Sequence, residues 1–189
     1  MHDTIALLHE RLLHIAMSNP SVPLSRVLTE ILRHPLALLR GWNWKAASFS
    51  AILRSFFFLF SNLHGAHHAA AKAMLTEFVY GTFAAGVAGA VIQRLRHAEP
   101  IRETAIAVWL GVPLVLLTAQ ASVHRVMGTQ HVRTGLIASF IFASFASGFN
   151  WFAMRRGAFV IGEQRSFARD LLLAPKLIAQ FLFTPLQRE

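Results

Sequence analysis

Histidines carry the chain's clearest chemical signal. His64, His67 and His68 lie within a few residues of one another, and His124 and His131 follow in a second polar stretch. On a helical turn, spacings of three and four bring imidazoles to one side, which suits a transition metal held by neutral nitrogen ligands. Copper, zinc and the iron of haem all accept imidazole, so these residues set up a metal- or haem-binding redox reading. Arg54 and Glu77 are conspicuous for another reason, since each interrupts a long apolar run. A charge inside a bilayer costs about 2.5–3.5 kcal/mol on insertion scales and has to face protein or water. An interhelical Arg54–Glu77 contact is the expected solution, because a guanidinium reaches along its own helix toward a partner.

The string from His64 to His68, HGAHH, resembles one of the histidine boxes of the membrane fatty acid desaturases and hydroxylases, which hold a di-iron centre. The resemblance covers that string alone. That family needs further boxes with doubled histidines, and His9, His14, His124 and His131 do not supply them. Nor does the chain offer another catalytic set. It has no Cys, which removes disulfides, thiolate zinc sites and cysteine nucleophiles together. No phosphate loop, paired carboxylates or serine–histidine–acid arrangement can be assembled, and no catalytic residue is expected. For an ion or proton pathway, only Gln120 and Asn150 add polar groups to the charged pair.

The elements that must carry these residues follow from composition. Of 189 residues, 54% are hydrophobic and 14% charged, against roughly 25% charged in average globular chains. The shortfall points to lipid as a second solvent. Apolar runs at residues 46–63, 73–92, 104–123 and 134–154 approach the length of about 20 residues that a helix needs to cross a bilayer. The fold class expected is therefore all-α: a polytopic membrane protein of four transmembrane helices, with amphipathic interfacial helices at both termini.

Charge decides the orientation. If all four runs span, residues 1–45, the loop 93–103 and the tail 155–189 share one side and hold most of the 18 Lys and Arg. The opposite side holds only Lys72, Arg125 and Arg133. If the first run did not span, the basic residues would divide evenly. The positive-inside bias thus favours four spans with both termini cytoplasmic, in a bacterial inner membrane. Trp42, Trp44, Trp109 and Trp151 all fall toward that same face, where indoles prefer the headgroups.

Residues 1–45 read as two amphipathic helices separated by Asn19, Pro20 and Pro23, the second with Leu24, Val27, Leu28, Ile31 and Leu32 on its apolar face. The tail forms another such helix, broken or kinked at Pro175. Both lie on anionic lipid at the cytoplasmic face. Within the spans, Gly81, Ala85 and Gly89, and then Gly135, Ser139, Ala143 and Ser147, repeat at intervals of four. Such stripes let helices approach closely, within the bundle, against a membrane-protein partner or in a homo-oligomer. The basic residues are scattered over several flanks, which argues against nucleic acid. The functional expectation is a non-catalytic helper or scaffold subunit without a cofactor. The alternatives are the metal or haem protein and a small solute or ion transporter.

Overall fold

The computed structural model describes residues 22–61, 68–126 and 132–183. These are mostly helical. Strand β1 (Val22–Pro23) leads directly into α1 (Leu24–Arg33), followed by α2 (Leu36–Arg40), α3 (Trp44–Ser61) and α4 (His68–Leu95). Strand β2 (Ala98–Glu99) precedes α5 (Ile101–Ile106), a π-helical turn (Ala107–Gly111), α6 (Val112–Val126), α7 (Val132–Arg155) and α8 (Phe167–Phe183). Helices α3, α4, α6 and α7 form the bundle, with α4 packed along both α3 and α7.

One end of the bundle is basic. There α3 begins, α4 ends beside Arg94 and Arg96, α5 starts with Arg102 in its first turn, and α7 ends on Arg155. The described core is concentrated at this end. Ile92, Leu95, Ala98, Val108, Trp151 and Met154 form one cluster, and Phe49, Phe149, Phe152, Phe159, Ala174 and Leu177 a second.

Helix α1 forms where the sequence places an amphipathic helix, but its two apolar rows part company. Leu24, Val27 and Ile31 pack against the core, whereas Leu32 remains 79% exposed. The short strands explain how α1 is held, for β1 pairs in parallel with β2 in the register Val22↔Ala98 and Pro23↔Glu99. This pairing lies outside an all-α expectation, because two-residue strands leave no period in the sequence.

Three further departures have local causes. The third apolar run is one continuous rod from α5 through α6, widened at the turn Ala107–Gly111. Pro113 lies two residues beyond it; it lacks an N–H and its ring crowds the carbonyl four residues back, inside the turn, which a π-turn relieves. Helix α8 is not broken at Pro175 but runs through it. Pro175 lies on the exposed side, while Ala174 and Leu177 on either flank are buried and hold the helix to the bundle. The tryptophans, expected among headgroups, serve largely as packing: Trp151 is buried and donates from Nε1 to Leu95 O at 3.4 Å. Trp42 donates to Phe83 O at 3.0 Å, with its ring against Gly86.

Two stretches among the described residues, Phe78–Leu95 and Ile101–Ser122, are long and apolar enough to cross a membrane. The first of the two amphipathic helices expected before Pro20 lies outside the described residues.

Candidate functional site

Two arrangements of buried polar side chains lie within the bundle, one tightly cross-linked and the other beside a cavity. The first is a knot at the basic end. Asn43 precedes α3, and its Oδ1 accepts from Ala46 N–H at 2.9 Å, capping the helix. Its Nδ2 donates to Gln93 Oε1 and to Phe159 O, each at 3.0 Å. Gln93 in turn accepts from Ile161 N–H at 3.0 Å and donates to Ile161 O at 2.9 Å. Beside it Lys45 Nζ lies 3.2 Å from Asp170 Oδ2 and donates to Arg165 O at 2.6 Å. Phe159 N–H donates to the same Asp170 oxygen at 3.0 Å.

These bonds draw the loop after α7 into the bundle. Ala158 and Phe159 have no exposed surface, and the Phe159 ring sits 4.7 Å from that of Phe49. Phe159 also adopts a left-handed backbone, φ 58°, which costs a non-glycine residue roughly 1–2 kcal/mol. Both its backbone groups are bonded to buried side chains, and these bonds offset that strain.

The second arrangement is a chamber of about 480 Å³ enclosed by α3, α4, α6, α7 and α8. Its walls are small side chains on α4 and α7 and aromatic ones around them. Where two small-residue stripes face each other without meeting, the missing side-chain volume becomes empty space. Tyr80 on α4 donates to Leu116 O on α6 at 3.0 Å, tying two walls together. Toward the basic end the lining includes Ser147 and Asn150, which are 3% and 7% exposed. The Asn150 carbonyl oxygen Oδ1 is buried and accepts no hydrogen bond. Phe145 and Leu182 line the chamber while remaining 53% and 58% exposed, which marks where it opens. Behind Gly148 the ring of Trp109 fills the space a side chain would take and stacks on Phe181 at 5.7 Å.

Most of the small residues singled out by spacing line this chamber instead of bringing two helices into close contact. Gly81, Ala85, Ser139, Ala143 and Ser147 all line the chamber, as do Gln120 and Asn150. Gly89 instead lies against α3, where an added Cβ would come within 2.7 Å of Ala46 Cβ. Gly135 belongs to α7, but its surroundings lie outside the described residues.

The histidines and the charged pair have a different status. His64, His67 and His131 lie outside the described residues, as do the side chains of His68 in α4 and His124 in α6. Among the described residues no group of metal-binding side chains converges. Arg54 and Glu77 belong to helices that pack along each other, with their side chains outside the described residues. One histidine with a resolved environment is His97, after α4. Desolvation, then repulsion from Arg96 and Arg155, lowers its pKa below 6.5, against a smaller opposing pull from Glu163.

Sequence reasoning missed the knot. Lys45 ends the segment 1–45 expected on the basic face and Asp170 lies within the tail expected on lipid, yet both are buried and paired across 125 positions of chain. The available signal was a lone acid in the first turn of α8. Its partner had none. Compared with known proteins, the chain matches no family model, no curated protein and no solved structure.

Proposed function

We propose that the protein is a four-span component of a bacterial inner membrane, both termini cytoplasmic, acting as a non-catalytic scaffold or helper subunit. The observation that carries this reading is the collar at the basic end. Leu32, Leu36 and Leu172 are 79%, 70% and 82% exposed, and Arg33, Arg40 and Arg169, near them in sequence, are exposed as well. Apolar side chains beside cationic ones are the composition of a surface resting on anionic lipid headgroups. The collar is also fixed in place: Arg94 Nη2 donates to Ala37 O at 2.9 Å, holding α2, while Lys45 and Asp170 hold α8. With that end on the inner leaflet, α3, α4, the α5–α6 rod and α7 run outward as the four spans. The scaffold role rests on the absence of any assembled catalytic set in the sequence and on helix faces that remain apolar and exposed, such as Ile137 and Ile141 on α7.

Reporter fusions after residues 70, 97 and 128 test the topology. Outer, inner and outer locations are expected, and a cytoplasmic reporter after residue 70 removes the first span. The subunit role is tested by the size of the untagged protein in native lipid particles. A complex larger than the 21.0 kDa chain is expected; a lone monomer overturns it.

A further inference from the structure

We infer that the arginine cluster around Gly157 is a site for the phosphate of one anionic lipid headgroup. Three segments bring it together: the turn after α4 supplies Arg96, the end of α7 supplies Arg155, and the loop that follows supplies Arg165 and Glu163. Arg96 Nη1 lies 2.6 Å from Glu163 Oε1, Arg155 Nη1 donates to Arg96 O at 3.3 Å, and Arg165 Nη1 donates to Arg156 O at 3.4 Å. Gly157 is left-handed, φ 71°, and puts no side chain into the gap between them. A Cβ there would stand 3.4 Å from Glu163 Oε2 and 3.9 Å from Arg165 Nη2.

The cluster has a surplus of both charge and donors. It gathers Arg96, Arg155, Arg156 and Arg165, and among the described ion pairs its acids are Glu163 and Asp170, the second of which Lys45 already faces at 3.2 Å. His97, next to Arg96, registers the surplus: desolvation, then repulsion from Arg96 and Arg155, lowers its pKa against a smaller pull from Glu163. A guanidinium has five N–H donors. No nitrogen of Arg96, Arg155 or Arg165 is both buried and unbonded, so the donors that the fold does not use open to solvent. The bonds that the fold does use hold these side chains in place, which lowers the cost of ordering them on a ligand. A phosphate accepts guanidinium forks two oxygens at a time and supplies the missing negative charge.

The source is a lipid because exposed apolar side chains flank the cluster. Ile101, 42% exposed, follows β2, and Leu172, 82% exposed, follows Asp170 on α8. Acyl chains bury against such side chains, whereas a free anion gains nothing from them. The inference rests on the reading above in placing the basic end on the inner leaflet.

For the test, the untagged full chain is reconstituted in vesicles of equal phosphatidylcholine and phosphatidylglycerol, extracted in neutral detergent and weighed intact by native mass spectrometry. One retained phosphatidylglycerol per chain is expected, at roughly tenfold preference over phosphatidylcholine, the worth of one charge-assisted contact. Arg96→Gln with Arg155→Gln should remove that preference. Arg33→Gln with Arg169→Gln, which takes the same charge from the collar, should leave it. Arg96→Lys with Arg155→Lys keeps the charge without the forks and should lower the preference severalfold, a second reading of the site should the Gln pair fail to fold. Equal retention of the two lipids, release of the retained lipid by added inorganic phosphate, or equal loss from the site and collar pairs overturns the inference. With the reporter fusions located as expected, such a result removes the site alone; a misplaced reporter removes the reading beneath it.

Discussion

Asn43 and Asn150 are the same residue in two regions of one bundle, and they have opposite surroundings. Asn43 is fully buried and uses both ends of its amide, toward Ala46, Gln93 and Phe159. Asn150 is nearly as buried, and its carbonyl oxygen is sealed from solvent and accepts no hydrogen bond. The Asn43 amide is saturated and serves the fold. An unpaired buried carbonyl such as that of Asn150 lowers stability. The difference belongs to the two amides and not to the whole regions, since Asp170 in the knot also keeps Oδ1 buried without a hydrogen bond.

The largest test of that contrast is Asp170→Ala, which leaves Lys45 buried without its counter-ion. A loss of about 3–5 kcal/mol is expected, read as a lowered midpoint of thermal unfolding in mild detergent. The double variant Lys45→Met with Asp170→Leu should recover much of it, since an apolar pair can replace a buried ion pair. A double variant as unstable as the single one would mean that Asp170 acts chiefly by holding Phe159 N–H.

The paired asparagines come next. Asn43→Leu removes three hydrogen bonds and strands Phe159 O, at an expected cost of about 1–3 kcal/mol. Asn150→Leu removes an orphan and should raise stability by about 1 kcal/mol. Equal losses in the two variants would erase the distinction between the two amides. Gly148→Ala sharpens the chamber's geometry, because the new methyl meets the Trp109 ring. Displacing that ring should cost about 1–3 kcal/mol and shift the emission of a single-Trp109 protein.

The smallest effect is a pH dependence from His97. Its native pKa is lowered, so on acidification the unfolded chain takes up the proton first. Stability then falls as pH drops through about 6.5 and levels off below the native pKa. In His97→Gln this component disappears, which unfolding midpoints measured between pH 7.5 and 5 would register.

Much of the helical framework was legible in the chain. The apolar runs located α3, α4, the α5–α6 rod and α7 to within about five residues, because continuous apolar length is a property of the chain itself. The interval-of-four stripes were also visible, and Gly81, Ala85, Ser139, Ala143 and Ser147 do share a surface. Spacing, however, reports only which residues lie on one face of one helix. Whether two such faces close on each other or stand apart depends on the bulky residues around them, here Phe49, Phe149 and Phe181 from three different helices. The same limit hid the knot, since Lys45 and Asp170 look like ordinary flank charges until α8 is laid across the start of α3.

Composition and charge order by themselves thus determined that this is an apolar helical protein with one basic end, since both properties are sums along the chain. Tertiary structure alone decided that Asn43 is satisfied and Asn150 is not. Hydrogen-bond saturation is a property of three-dimensional neighbours, and the partners of Asn43 at Gln93 and Phe159 lie 50 and 116 positions away.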